Sequence, residues 1–282
     1  MHSLADTLVL IRGGGDLATG VAHRLRQAGF TVVVTELPQP LCVRRAVAFA
    51  EAVYAGRVTV EGVTARLAPD ALSGMAYAVL NEIPVIVDVS GEALRQLRPP
   101  IVVDARLAKR PLETRLTDAP LVVGLGPGFE AGVDCHAVVE TLRGHDLGRV
   151  YWQGRAAPDT GQPDPVRGLA AERVLRSPVP GIFTAVKVIG DLVKKGEVIA
   201  LVDYAPLIAQ CDGVVRGVIH DGLRVTAGLK VGDIDPRGIR ADCFTISDKA
   251  RAVAGGVLEA VLAGARFWQR EGPPELRDRG LP

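Results

Sequence analysis

The first residues in this 282-residue sequence whose type and spacing could do chemistry are Gly13-Gly14-Gly15-Asp16. A glycine backbone can turn sharply and lets a phosphate approach the amides at a helix N-terminus. Gly13-x-Gly15-x-x-Ala18 has the dinucleotide-binding spacing with alanine third, and Thr19 follows on the same segment. Glu36 lies 21 residues after Gly15, where such folds hold a ribose hydroxyl. Asp16 argues the other way, because a carboxylate at the start of a helix caps the amides and repels a pyrophosphate. Two readings stand: a nucleotide-type ligand on this turn, or a plain turn capped by Asp16.

Further polar residues follow short apolar runs. They are Asp88, Asp104, Arg106 with Lys109 and Arg110, and the glycine loop 124–132. Gly126-Pro127-Gly128 either cradles an anion with its amides or simply reverses the chain. Arg44 and Arg45 either meet a phosphate just past the second strand or lie on a solvated helix face. The candidate ligand-binding set is Gly13, Gly14, Gly15, Asp16, Thr19, Glu36, Asp104, Arg106, Lys109, Gly126 and Gly128. Cys135-His136 and His145-Asp146 have no recognised metal spacing, and His136 and Glu140 stand at helical i,i+4 spacing around AVVETL. A hydrogen-bonded histidine at a helix end is the default reading, and no metal site is expected. The sequence holds no Gly-x-Ser-x-Gly elbow, His-Glu-x-x-His pair or Gly-Lys-Ser loop. Covalent serine chemistry and P-loop phosphoryl transfer are disfavoured, and no catalytic residue is assigned.

The elements that must position these residues alternate. Apolar residues 7–11 form a strand, residues 17–26 carry helical spacing, Gly29 stands past the helix end, and residues 31–35 form a second strand ending at Glu36. Residues 43–55 read as a helix, 57–60 as a strand, and 67–82 contain another helix. Residues 83–90, 101–109 and 120–124 contain near-continuous apolar runs, the mark of parallel strands buried on both faces. The expected fold class is α/β, a Rossmann-like doubly wound, mostly parallel sheet with its candidate residues converging on one crevice at the strands' carboxyl ends.

The second half is different. Gly181, Gly190, Val193, Gly196 and Asp203 recur as Gly213, Gly222, Val225, Gly228 and Asp235, always 32 residues on. One fixed offset marks a duplicated unit, and its short β-branched segments between glycine turns are β in character. Residues 175–236 resemble a barrel-sandwich hybrid, the fold of biotinyl and lipoyl carriers, through Pro178-x-x-Gly181 and Gly190-Asp191-x-Val193-x-x-Gly196. The carrier lysine is missing from the hairpin Asp203-Tyr204-Ala205-Pro206-Leu207, so a swinging-arm role is rejected. What remains is a rigid module that packs on the first domain or pairs two chains as a homodimer. Ser247 is a good N-cap for an amphipathic helix reaching Trp268, and residues 271–282 read as a polar frayed end. The expected layout is 1–154 sheet domain, 155–174 linker, 175–240 β module, and 245–270 a helix returning to pack on a domain.

Composition narrows the function classes. The chain is 48% hydrophobic and 23% charged, so it can bury a core and is not a disordered polymer. A formal net charge of +1 gives no global drive toward nucleic acid or an anionic membrane, and 4% aromatics leave few stacking platforms. Cys42, Cys135, Cys211 and Cys243 form no CxxC pair. Four free thiols fit a reducing cytosol, no apolar run approaches membrane-span length, and the first residues lack the form of a secretory signal, so a cytoplasmic location is expected.

Longer motifs complete the reading. Arg12 to Gly20, Glu36-Leu37-Pro38, Gly124 to Phe129, Glu140 to Arg149, Gly232 to Arg237 and Ile246 to Arg251 together resemble the YqeB-type accessory proteins of selenium-dependent molybdenum hydroxylases, over about residues 8–265. The resemblance implies a role in maturing a molybdenum hydroxylase, by handling its molybdopterin cofactor or installing its selenium. It supplies no catalytic residues. Three functions remain in order: an accessory protein binding a molybdopterin- or nucleotide-type ligand, an NAD(P)-dependent oxidoreductase, and a docking scaffold for the hydroxylase. The oxidoreductase reading lacks a Tyr-x-x-x-Lys or similar proton-donating pair.

Overall fold

The computed structural model describes residues 4–109 and 112–268; Arg110 and the tail 271–282 lie outside the described residues. In chain order its first part comprises β1 (Leu8–Arg12), α1 (Asp16–Gln27), β2 (Thr31–Glu36), α2 (Ala52–Ala55), β3 (Arg57–Val60), β4 (Val63–Ala68), α3 (Ala71–Val79), β5 (Ile83–Val87), α4 (Glu92–Leu97), β6 (Ile101–Asp104), β7 (Leu121–Leu125), β8 (Glu130–Ala131), β9 (Ala137–Val139), β10 (Val150–Tyr151) and β11 (Gly154–Arg155). Nine of these strands form one sheet in the order β10-β9-β7-β6-β1-β2-β5-β4-β3. Its interior pairs are parallel, and only the edge pairs β3–β4 and β9–β10 are antiparallel.

Strand alternation sorts the side chains into two layers. Val9 and Ile11 of β1 face the core shared with α1 and the C-terminal helix α5 (Asp248–Ala263), whereas Leu10 faces the opposite core with Ala71 of α3 and Ala93 of α4. Helices thus cover both faces, which is why the strands read as unbroken Val/Ile/Leu runs. Ser247 caps α5 by accepting the amide of Ala250, as expected from its position. Helix α1 ends at the expected place, with Gly29 at φ +96° donating to the carbonyl of Arg26.

Two expected helices are not formed. Residues 43–55 break into the 3₁₀ turns Arg45–Val47 and Phe49–Glu51 and the single turn α2, with Ala48 extended at φ −128°, ψ 124°. The segment is stapled to α1 and its glycine turn: the Phe49 amide donates to the Thr19 hydroxyl at 2.8 Å, and the Ala50 amide to the Gly14 carbonyl at 2.8 Å. The stretch around AVVETL is strand β9, with Ala137 and Val139 in one core and Val138 in the other. His136 and Glu140 therefore share no helix face.

The second part is built of antiparallel strands β12 (Val174–Arg176), β13 (Gly181–Ala185), β14 (Leu192–Val193), β15 (Val198–Val202), β16 (Ala205–Ile208), β17 (Gly213–Val218), β18 (Arg224–Val225) and β19 (Lys230–Asp235), arranged as two four-stranded sheets. The duplication is a pseudo-twofold in space. Gly181 pairs with Val225 and Gly213 with Val193, so each copy's first strand pairs with the other copy's second strand at the same register. Residues 155–174 are not a free tether. Arg155 pairs with Glu130 in a β11–β8 ladder, Ala157 donates to Glu140, and Arg173 donates to the Asp164 carbonyl.

Helices α1 and α5 meet where Gly20 leaves no room: a Cβ there would stand 2.9 Å from the Ala250 Cβ and 3.0 Å from its carbonyl oxygen. Gly20→Val should lower the urea midpoint by the equivalent of about 1–3 kcal/mol, the usual cost of overpacking. Gly255→Ala, on the same α5 but with only Arg24 Nη1 at 3.8 Å, should be neutral or stabilise by about 0.5–1 kcal/mol.

Candidate functional site

Strand order reverses at β1: the chain runs outward through β2 on one side and later returns to β6 on the other. In open α/β sheets the crevice for a ligand opens at such a reversal, beyond the strands' carboxyl ends. A cleft of about 400 Å³ lies there, bounded by the ends of β6, β1, β2 and β5. Gly13, Gly15, Glu36, Asp88, Arg106 and Glu113 supply its polar lining, and Leu37, Pro40, Leu41, Val89, Leu94 and Leu107 its apolar walls. A larger groove of about 680 Å³ runs along the β module, but its walls are mostly aliphatic and Arg176 is the charged side chain on them. The cleft is the place where charged groups converge.

The glycine turn is already occupied by the protein. Gly13 takes φ +92°, and the Gly14 amide donates to Glu36 Oε2 at 2.7 Å, while the amide of Leu37 donates to Oε1 at 2.7 Å. The acid at the end of β2 thus sits on the turn where a dinucleotide would place a phosphate. Asp16 does not cap α1, whose N-cap residue is Gly15. Its carboxylate pairs with Arg44 at 3.4 Å. Arg44 is neither a phosphate ligand in the cleft nor a solvated helix residue: it is buried and also donates to the carbonyls of Asp242 and Thr245.

The far wall is a charge relay. Asp104 is fully buried and accepts Arg106 Nε at 3.0 Å and the Thr114 hydroxyl; that same hydroxyl accepts Arg12 Nη1 at 2.7 Å. Arg106 Nη1 also meets Glu113 at 2.6 Å. Burial works against the Arg106 cation, but Asp104 and Glu113 outweigh it and hold the guanidinium protonated. The Arg106 hydrogen bond in turn pulls the Glu113 carboxyl down. At the β5 end, Asp88 accepts the amides of Glu92 and Ala93 at 2.9 Å each and so caps α4.

Of the expected residues, Gly13, Gly15, Glu36 and Arg106 line the cleft, Gly14 touches it through Glu36, and Asp104 lies behind Arg106. The other five do not converge there. Asp16 faces Arg44. Thr19 is buried between Gly14 and Phe49. Lys109 points to Asp159 at 2.6 Å. The Gly126 amide donates to Val139. Gly128 packs on the backbone of Ala108 so closely that no Cβ fits. The loop 124–128 is thus a closely packed turn whose Gly126 amide is already taken. His136 accepts the Val122 amide at 3.0 Å through Nδ1, and burial lowers its pKa. Among the described residues no cluster of His, Cys, Asp and Glu is arranged to hold a metal.

Cleft residues beyond the expected set are Arg12, Cys42, Glu113 and Thr114's partner network. Cys42 follows the Pro40-Leu41 wall and keeps part of its surface on the cleft. Burial pushes its thiol far above the ordinary range, with the Asp16 and Glu36 charges adding to the shift. Only its place two residues before Arg44 hinted at this.

No family model matches the chain. It is 51% identical over 261 residues to the uncharacterized protein YqeB of Escherichia coli (strain K12), covering 93% of this chain and 48% of YqeB. The YqeB-type resemblance carried by the motifs thus extends over nearly the whole chain, which spans about half the length of that curated relative. Among solved structures, TcdA (CsdL) aligns at 13% identity and TM-score 0.31 over 93% of this chain and 89% of its own. An aspartoacylase family protein from Mesorhizobium loti aligns at 11% identity and TM-score 0.26 over 81% and 84%. Likenesses this slight bear on neither fold nor function. No helix among the described residues is long and apolar enough to cross a membrane.

The raised pKa keeps the Cys42 thiol protonated at neutral and mildly basic pH. Iodoacetamide at pH 8 should label it at least about tenfold more slowly than a free cysteine, because each pKa unit costs tenfold in thiolate. Peptide mass spectrometry of the native chain checks this; labelling at the free-thiol rate would show that the thiol is not held in its protonated form.

Proposed function

We propose that this YqeB-type chain is an accessory protein for a selenium-dependent molybdenum hydroxylase, and that its Rossmann-like sheet domain binds a molybdopterin- or nucleotide-type ligand in the cleft at the reversal of strand order. The observation that carries the reading is the occupied glycine turn. With Glu36 on the Gly14 amide, the turn repels a phosphate but offers carboxylate lone pairs to N–H and O–H donors. Glu36 and Glu113 together suit the amino and ring N–H edge of a pterin or guanine base. Leu37, Leu41 and Leu107 supply apolar surface for its flat face. Arg12 and Arg106 donate to the ring carbonyl.

The same geometry weighs against an NAD(P)-dependent oxidoreductase. The pyrophosphate of a dinucleotide needs the turn's amides free and no acid in the first helical turn, and here Gly14 is taken and Asp16 stands in α1. The β module, read as barrel-sandwich-like and without the carrier lysine, is the surface proposed to meet the hydroxylase. A homodimer through it is the competing assembly.

Gly15→Val separates ligand binding from folding. Gly15 has φ −64°, a value open to any residue, and a Cβ there meets nothing within 4 Å, so the branched side chain enters the cleft without disturbing the turn. A thermal-shift panel of molybdopterin cofactor, GTP, ATP, NAD(H) and NADP(H) tests the reading. The pterin and guanine ligands should stabilise the chain, by about 2.7 kcal/mol at 100 times their Kd. Gly15→Val and Glu36→Gln should abolish that shift. Stabilisation by NAD(H) alone, or by no ligand at all, would overturn the assignment.

A further inference from the structure

The cleft opens where an open α/β sheet seats a phosphate, yet its phosphate seats are already filled by the protein. Those seats are the Gly14 amide at the head of α1, the Glu92 and Ala93 amides at the head of α4, and the guanidiniums of Arg106 and Arg12. Glu36 holds the first at 2.7 Å, and Asp88 the second pair at 2.9 Å each. The fully buried Asp104 grips Arg106 through Nε and Nη2, and Glu113 meets Nη1 at 2.6 Å. Asp118 takes Arg12 Nη1 at 3.2 Å. Asp16 adds a further carboxylate in the first turn of α1. A phosphate entering here meets a carboxylate at every seat, and like charges repel.

The groups left over ask for a different ligand. A carboxylate offers about four lone-pair sites. Glu36 gives one oxygen to the Gly14 amide and the other to the Leu37 amide, so each oxygen keeps a lone pair. Glu113 is 65% exposed and gives only Oε1 to Arg106. On the donor side, Arg106 keeps one Nη1 hydrogen, because Nε and Nη2 go to Asp104 and Thr114. Arg12 spends Nη1 on Thr114 and Asp118, while its Nη2 lies beside Gly91, 3.7 Å from where a Cβ would stand there. Gly91 lines the cleft too. These are sites for the N–H groups and the carbonyl of a molecule that carries no charge. At about 400 Å³ the cleft falls near the lower end of ligand pockets, about 300–1,000 Å³, a size that suits one flat bicyclic ring better than a dinucleotide.

We propose, resting on the cleft as the ligand site, that it reads an uncharged heterocycle alone and takes no hold on a phosphate. The ligand class is a free base, nucleoside or pterin, and a phosphate carried by a larger ligand stays in solvent. A dinucleotide fold works the other way, with its glycine turn holding the pyrophosphate.

Calorimetric titration of the full chain with matched pairs tests this: guanosine against GTP, and 6-hydroxymethylpterin against its diphosphate. In the pair that binds, the phosphorylated member should be no more than about threefold tighter, well short of the tenfold or more that a charge-assisted hydrogen bond to phosphate brings. Inorganic pyrophosphate should not displace the bound ring. Glu113→Gln, which frees Arg106 Nη1 of its carboxylate, should change both members of the pair by the same factor. A phosphorylated member bound more than threefold tighter, displacement by pyrophosphate, or a gain in Glu113→Gln confined to the phosphorylated member would show a hold on phosphate; each overturns the proposal and leaves the cleft a ligand site. Binding of none of the four compounds would overturn the cleft as the ligand site, and the proposal with it.

Discussion

Arg44 is the interaction on which most of this structure hangs. A buried guanidinium must find acceptors or cost several kcal/mol, and this one finds three in two distant parts of the chain: Asp16 on α1, and the Asp242 and Thr245 carbonyls leading into α5. Its neighbours extend the tie. Arg45 Nε donates to the Val218 carbonyl at 3.2 Å, and Gly217 passes the Val43 backbone too closely for a Cβ. Tyr54 stacks on His220 with ring centroids 4.0 Å apart. The 43–54 segment is thus a clamp that fixes the β module against the sheet domain and, through Thr19 and Gly14, fixes the glycine turn as well.

That clamp decides what the turn can bind. A glycine turn ahead of a helix is a ready anion site only while its amides are free. Here Glu36 and Asp16 place two carboxylates on or beside it, and Asp16 is held there by Arg44. The cleft side is an acceptor-rich surface, with the Glu36 and Glu113 carboxylates on its lining. The character of the turn follows from Glu36 on its amide and from where the Arg44 side chain is buried, not from the glycines alone.

The parts legible in the sequence are those that are local or duplicated. The turn, α1, β2 and Glu36 form one continuous βαβ unit, so spacing alone placed them. The 32-residue repeat was visible because duplication copies register along with residues. The parts that misread share a cause. The apolar residues of 43–55 do recur at helical spacing, but they serve two cores: Val43 and Ala46 pack on the module, and Val47, Phe49 and Ala52 on the sheet domain. A segment divided between two cores has no single face for a helix to bury. Ala137-Val138-Val139 is apolar toward both layers, the case in which periodicity cannot tell strand from helix. The rule for strand ends puts Asp16, Gly126, Gly128 and Lys109 at the crevice, and Thr19 joins them through its place on the glycine-turn segment; each is claimed by a tertiary contact that neither reading contains.

The duplicated module puts equivalent residues in different environments. Asp203 and Asp235 are equivalent by the repeat: Asp203 directly follows the third strand of its unit, and Asp235 ends its own. Asp203 accepts the Ile182 amide on the surface, next to Tyr204, which is 98% exposed. Asp235 is buried and takes Arg216 and Arg237 instead. The residues equivalent to Arg216 and Arg237 in the first copy are Thr184 and Ala205, which carry no charge. An exposed aspartate needs no partner, but a buried one does, so the second copy carries both the buried carboxylate and the two guanidiniums that neutralise it. The asymmetry between two otherwise matched units follows burial: the second copy is the one that packs on the 43–45 segment of the sheet domain.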